Sequence, residues 1–354
     1  MQEYLQFFLL NQKIKIMKKY LLFIGIDISK KWIDLAASFD GKEKQMHHKR
    51  FTNDVKGFDA MLKWLSQLFN VDLQSGALFC MEHTGVYTIP LCAYLEGKQL
   101  DYVLESALRI KRSIGIRRGK DDKADAKAIA RYVFLNHKDL KVSILPAQVL
   151  VDLKNLLAYR SRLLKQLHAI KVSAEETQKF SISSDSMNWI AENSEHLVES
   201  IKTQLKQVHA NIKTLIKGNQ EINKVFDLVT SVKGIGLITG LQIIIYTNNF
   251  KSFDCSRKFA CYIGIAPFHK KSGSSLDIQA KVSPLGHTKI KALLSNGIMA
   301  AIKYDKELKS YYQRKIAEGK NKYKVLNAVK NKLISRVFAT VKRGTPYVEL
   351  FNYA

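Results

Sequence analysis

Acidic residues are scarce. The chain of 354 residues carries 31 Asp and Glu against 57 Lys and Arg, a formal net charge of +26. Solubility does not need so large an excess of one sign. Such a field favours a polyanion, nucleic acid before an anionic membrane surface. Cysteine is scarce too. Cys80, Cys92, Cys255 and Cys261 form no C-x-x-C pair. That pattern speaks against a disulfide or metal framework and for reduced, buried thiols in a cytosolic protein. No apolar run reaches the roughly 18 residues needed to cross a bilayer, so no membrane association is expected. No proline-rich or low-complexity linker interrupts the chain, which has only five prolines. The opening MQEYLQFFLLNQKIKI has Glu3 ahead of its apolar patch and no small-residue cleavage site after it, so it does not read as a signal peptide. Met17 opens MKKYLLFIGID and is the expected natural start, with residues 1–16 a loose extension.

What is present divides the chain into four stretches. Residues 1–19 are an N-terminal extension. Residues 20–146 read as α/β: strands at Leu21–Ile26, Ile33–Phe39 and His47–Phe51, with Asp40-Gly41 as a hairpin signal between the second and third. An amphipathic helix over Phe58–Phe69 follows, then a strand at Ala77–Met81, a helix over Tyr87–Leu95, a short strand at Tyr102–Leu104 and an Ala-rich helix from Asp122. Three strands as a meander, then helix, strand, helix, strand, helix, is the order of an RNase H-like domain. Residues 147–225 carry Leu150, Leu157 and Leu164 seven apart, with Leu153 and Leu167 on the same seam, and a second seam at Ile201, Leu205, Val208, Ile212 and Leu215. Two long helices in a coiled-coil hairpin or dimerising arm are expected there. Residues 226–354 form a mostly helical unit with a basic tail: Lys303–Arg343 holds 13 Lys/Arg and 3 Asp/Glu.

With acids so few, their placement carries information. Asp27 ends the first strand and Glu82 the fourth; in an RNase H-like sheet these strands are parallel neighbours. Asp122 and Asp125 are three apart on a helix and share a face. Four converging carboxylates repel one another and need a cation, and all-oxygen ligands select Mg²⁺ or Mn²⁺. A lone Asp after a strand is commonly a turn residue, and acids at a helix start complement its dipole; co-occurrence on these elements raises the metal reading. Arg109, Lys111, Arg112, Arg117, Arg118 and Lys120 precede the helical pair as a basic loop suited to a phosphate backbone.

GIDISK (25–30), MEHTGVY (81–87), DDKADAKAIA (121–130), VKGIGLITG (232–240) and YIGIAPFHKKSG (262–273) occur in this order. Together they resemble the DEDD transposases of bacterial insertion sequences, the one-ten family, over most of residues 20–345. The resemblance implies a RuvC-like first domain binding Mg²⁺ (or Mn²⁺) through Asp27, Glu82, Asp122 and Asp125. It implies Ser272 as nucleophile, donor and target DNA as substrates, a structured guide ("bridge") RNA, and self-association as a dimer or tetramer in the bacterial cytoplasm at the nucleoid. Two departures bear on the assignments. Asp121 competes with Asp122 for the ligand role, and Ser274 and Ser275 crowd Ser272. Lys233 also stands where the family usually has proline.

A serine hydroxyl is a weak nucleophile that needs activation. Lys270 and Lys271 are placed to hold a scissile phosphate and its developing charge. Without the resemblance, this Ser-Gly reads as a turn. Gly234-Ile235-Gly236 resembles a helix-hairpin-helix turn whose backbone amides bind phosphate, or an ordinary helix corner. In YYQRKIAEGKNKYK (311–324) the tyrosines suit either base stacking or helix packing. The competing functions are a metal-only, junction resolvase-like nuclease, which needs no serine, and a non-catalytic nucleic-acid scaffold.

Overall fold

The computed structural model describes residues 19–83, 85–115, 121–180, 185–272, 276–282 and 286–349. The chain divides into two compact units, Met1–Leu145 and Pro146–Ala354. The first unit contains β1 (Leu22–Ile28), β2 (Trp32–Ser38), β3 (His47–Thr52), α1 (Val55–Leu68), α2 (Leu73–Gly76), β4 (Ala77–Glu82), α3 (Ile89–Gly97), β5 (Tyr102–Glu105), α4 (Ala107–Ile114) and α5 (Asp122–Asn136). Its mixed five-stranded sheet has the order β3-β2-β1-β4-β5. β2 pairs antiparallel with β1 and β3, and β4 pairs parallel with β1 and β5.

The strand period of two sorts the side chains. Leu22, Ile24, Ile26, Phe79 and Met81 pack with Phe58, Met61 and Leu65 of α1 and Leu91 and Leu95 of α3. Phe23, Leu78, Cys80 and Val103 lie on the other face, against Ile110 of α4 and Ile129, Tyr132 and Val133 of α5. Both faces of the central strands are covered, which is why LFIGI has no polar alternation. Asp54 starts α1 by accepting from the Gly57 amide.

Gly25 sets how closely α5 approaches. A Cβ there would stand 2.1 Å from the Ala130 nitrogen and 2.4 Å from the Ala126 carbonyl oxygen. Both are helix backbone atoms, so relief requires moving α5 itself. Gly25→Ala is expected to cost about 3 kcal/mol or more, measured by urea denaturation of the full chain.

Two local expectations change. β2 and β3 are not joined by a tight turn at Asp40-Gly41; the connection continues through a 3₁₀ turn at Glu43–Gln45. Gly41 has φ +67°, and a Cβ there would meet the Phe134 ring at 2.5 Å, so the glycine serves packing as well as the turn. The basic segment before Asp122 is not all loop, because Ala107–Ile114 forms α4.

The second unit contains α6 (Gln148–Phe180), α7 (Asp185–Lys217), α8 (Gln220–Thr230), α9 (Leu237–Tyr246), α10 (Ser256–Ile263), β6 (Pro267–Ser272), β7 (Leu276–Val282), α11 (Thr288–Tyr304), α12 (Lys306–Ala317) and α13 (Lys322–Arg343). α6 and α7 run along each other, with Tyr159 donating to Gln204 and Arg160 donating to His209. Leu150, Leu153 and Leu157 are buried as expected, but Leu164 is 37% exposed and Leu163 is buried instead. α6 also meets α9, and Val149, Leu156, Leu163 and Ile170, again seven apart, pack in the same core. One apolar core runs from Leu150 of α6 to Val337 of α13, so the helical pair and the later elements share it.

Cys80 and Cys92 are buried, whereas Cys255 is exposed and Cys261 half-buried; all four are free thiols. Burial, reinforced by Glu96, pushes the Cys92 thiol up to about 12. Among the described residues no helix is long and apolar enough to cross a membrane.

Candidate active site

The face of the sheet that meets α5 carries a row of acids at its edge. Gly25 faces α5, so alternation places Asp27 on the same side. Asp27 pairs with Asp34 across β1 and β2. Ile26 pairs with Met81, which brings Glu82 to the next step beside Asp27, and Glu82 pairs with Glu105. Asp34, Asp27, Glu82 and Glu105 therefore follow one another across four strands. Asp122 and Asp125 sit in the first turn of α5, one turn before its contact with Gly25.

The two ends of the row are neutralised from within the chain. Asp34, nearly fully buried, accepts from Arg50 Nε at 2.8 Å and lies 2.9 Å from His48 Nε2. Glu105 accepts from the Tyr132 hydroxyl at 2.8 Å and from Arg109 at 3.0 Å. The middle is different. Among the described residues Asp27, Glu82 and Asp125 have no cationic partner. Burial, and then the charges of Asp125, Asp122, Glu82 and Asp34, push the Asp27 carboxyl up to about 6.

Arg50 links the row to the helix, because its Nη2 also donates to Asp122 Oδ2 at 2.9 Å. Asp121 instead caps α5 by accepting from the Lys123 amide. Asp34, His48, Arg50 and Glu105 did not figure among the expected site residues. Their signal lay in strand register: His48 and Arg50 are two apart on β3, opposite Ala36 and Asp34 of β2. Arg50→Gln is expected to lower the urea midpoint of the metal-free chain, because it strips a buried carboxylate of its charged donor. Arg50→Lys should recover part of the loss, since one ammonium cannot reproduce the guanidinium fork. Urea denaturation at neutral pH reads both.

The donor set at the middle of the row is all carboxylate oxygen and suits a hard divalent cation. As placed, no three His, Cys, Asp or Glu side chains among the described residues enclose a metal position, and Asp122 is engaged by Arg50. The set fits such an ion in chemistry and in unbalanced charge. The residues that would hold it are Asp27, Glu82, Asp122 and Asp125.

The remaining candidates lie on other elements of the two units. Arg109, Lys111 and Arg112 are exposed on α4, Arg109 being spent on Glu105. Arg117, Arg118 and Lys120 lie outside the described residues, as do Gly273, Ser274 and Ser275. Gly234 has φ +94°, and a Cβ there would stand 2.7 Å from the Gly297 carbonyl oxygen of α11, so packing accounts for it. Gly236 starts α9 with no side-chain cap, leaving that helix's first amides without a side-chain acceptor. Lys233 is bonded to Glu349 and to the Tyr304 carbonyl. Lys270, Lys271 and Ser272 are the last residues of β6, and Ser272 pairs with Leu276 of β7.

Residues 24–177 match a family described as "Transposase", of the DEDD type of IS110, and residues 226–313 match "Transposase IS116/IS110/IS902 family". The chain belongs to the IS110 family of transposases. The acid row of this transposase falls in the first matched segment and Ser272 in the second. It is 27% identical over 329 residues to the "Pilin gene-inverting protein" of Moraxella bovis, covering 92% of this chain and 97% of that one. It is 28% identical over 155 residues to an uncharacterized 43.6 kDa protein of insertion element IS110 from Streptomyces coelicolor, covering 43% and 38%. To the transposase of insertion sequence element IS1111A from Coxiella burnetii it is 24% identical over 139 residues, 38% of this chain and 37% of that one. As a transposase the protein is an enzyme of DNA recombination.

Proposed function

We propose that this transposase cuts and rejoins donor and target DNA through a serine–DNA phosphodiester, with a divalent cation, Mg²⁺ or Mn²⁺, held by Asp27, Glu82, Asp122 and Asp125. The observation that carries the reading is the acid row: Arg50 and Arg109 neutralise its ends, while among the described residues Asp27, Glu82 and Asp125 have no cationic partner. The strand order β3-β2-β1-β4-β5 supports a RuvC-like, RNase H-related unit. The long pair α6–α7 supports a coiled-coil arm for a dimer or tetramer. The net charge of +26 suits a protein that holds both DNA and a structured guide RNA. A relative named for inverting a pilin gene supports strand exchange over simple cleavage.

In the proposed reaction the Ser272 oxygen bonds to the scissile phosphorus. One phosphorus–deoxyribose oxygen bond breaks, the leaving oxygen takes a proton, and the serine proton passes to a base or solvent. A hydroxyl of the second strand then displaces serine, so phosphoester bonds are conserved. When bound, the cation supplies charge neutralisation to a phosphoryl transfer. Lys270 and Lys271, beside Ser272 on β6, hold the phosphate, and α4 and the uncapped start of α9 bind backbone phosphates.

The test is covalent trapping. The protein is incubated with its element's RNA, labelled donor and target DNA and Mg²⁺, then run on a denaturing gel. A retarded protein–DNA band supports the reading. Cleavage with no such band assigns a metal-only nuclease instead.

A further inference from the structure

A groove of about 1120 Å³ opens between α11 and α13 at the base of the β6–β7 hairpin. That is somewhat above the range of pockets that enclose small ligands, about 300–1,000 Å³. Its floor is apolar, with Ile298, Met299 and Leu326, and Pro267 and Val282 close one end. Met299 is 60% exposed and Tyr323, on the lining, 79% exposed. These are large side chains left open to solvent beside an apolar floor. Tyr311 in the same basic tail is instead packed into the core and covered by Lys332.

The charge in the groove has one sign. Lys291 and Lys330 line it, both half-buried. Burial, and then the charge of Lys291, holds Lys330 below the ordinary lysine range. Among the described residues neither has an acidic partner, and none of the lining residues is acidic. Two lysines kept close together without a carboxylate are a cost to the folded chain that an anion relieves. Asn331 spends both amide N–H groups, on the Ile265 and Asn327 carbonyls at 3.0 Å, and Asn327 donates one to the Ile265 carbonyl at 2.8 Å, which fixes the entry to β6.

We infer that this groove binds an unpaired nucleic-acid strand, its bases on Met299 and Tyr323 and its phosphates on Lys291 and Lys330. Apolar and aromatic faces take bases of any sequence, and paired cations take the backbone. A duplex does not present its base faces and is excluded. The location gives the strand a purpose. β6 starts at the groove with Pro267 and ends at Ser272, five residues on and roughly 17 Å away at the strand rise. Nucleotides flanking a phosphate at Ser272 thus have a place to rest once unpaired. The inference rests on the nucleic-acid reading above but not on Ser272 being the nucleophile.

The experiment uses the full chain without divalent metal, so no strand is cut. Short oligothymidylate with 5-bromodeoxyuridine, its RNA counterpart with 5-bromouridine, and a blunt DNA duplex are photocrosslinked or titrated by fluorescence anisotropy. Crosslinked peptides are expected to contain Met299 or Tyr323. Ala328→Trp, which fills the groove without changing charge, and the double variant Lys291→Gln/Lys330→Gln are each expected to cut single-strand crosslinking about tenfold and duplex binding less than about twofold. Circular dichroism checks folding; if the tryptophan variant does not fold, the lysine pair decides. Crosslinking by only one of the two oligonucleotides identifies the occupant as DNA or RNA. Crosslinks confined to other regions, or variants that crosslink like the parent, overturn the inference. So does a concentration-dependent mass in light scattering that Ala328→Trp abolishes, which assigns the groove to a second copy. Failure of the serine reading looks different: no denaturation-resistant adduct with Mg²⁺, while these crosslinks persist.

Discussion

Ser272→Ala is expected to remove the covalent protein–DNA adduct and to lower strand exchange at least about 10³-fold, since loss of a covalent nucleophile leaves only binding and electrostatics to act. The alanine variant should keep its fold. Ser272 ends β6 and its backbone pairs with Leu276; alanine keeps that pairing and changes only the hydroxyl. DNA binding should therefore survive, and a gel shift separates lost chemistry from lost binding. Ser274→Ala and Ser275→Ala are the controls that matter most, because these serines stand two and three positions from Ser272 in sequence. Loss of the adduct in one of these, with the Ser272 variant active, moves the nucleophile. Cleavage that survives all three removes the serine mechanism.

Asp27→Asn is expected to be as severe for activity, again at least about 10³-fold, but to act in the opposite sense on stability. Asp27 is crowded by Asp125, Asp122, Glu82 and Asp34, and its folded pKa lies near 6, above that of an unfolded aspartate. A raised carboxyl favours the fold at acid pH, where both states bind the proton. That contribution fades as pH climbs from about 4 through 6, where the unfolded chain releases its proton first. The metal-free parent should thus lose stability relative to Asp27→Asn across this window. Above pH 6 the asparagine variant should be the more stable by about 1–2 kcal/mol, a figure reduced for the partial exposure of Asp27. Urea midpoints at pH 4.5 and 7.5 in chelator check the sign. Mn²⁺ titration gives a second reading: affinity of the parent should fall as pH drops through about 6, and the variant should bind weakly throughout. A variant that is inactive yet no more stable at pH 7.5 would mean that Asp27 is not under the charge pressure described.

Much of this arrangement was legible in the chain. Apolar runs ending on Asp27 and Glu82 mark strands that deliver acids, and an Ala-rich segment opening with Asp122 and Asp125 marks the helix above them. What escaped depends on pairing between distant segments. Asp34 reads as an ordinary interruption of WIDLAAS until the register sets it opposite Asp27 and Arg50. Glu105 looks like the end of a short strand until Tyr132, 27 residues on, donates to it. In the second unit a leucine repeat fitted two neighbouring registers, and burial falls on Leu163 rather than Leu164. The β6–β7 hairpin was legible only in part: LDIQAKV alternates apolar Leu276, Ile278, Ala280 and Val282 with polar residues as a strand does, whereas PFHKKS carries no such pattern.

The contact at Gly25 has a bearing on how this protein tolerates change. Backbone meets backbone there, so the crossing of β1 and α5 is fixed as a pin fixes two rulers. From the pin, one strand repeat of about 6.7 Å leads to Asp27, and one helical turn of about 5.4 Å leads back toward Asp122. Inserting or deleting a residue within 25–27 or 122–130 puts the two scales out of step and scatters the acids. The connection between β2 and β3 lies off both scales, so a change in its length leaves both spacings as they are. Drift in a lineage of such chains should accordingly collect in length at the loops and in side-chain identity elsewhere, while these two short intervals keep their spacing.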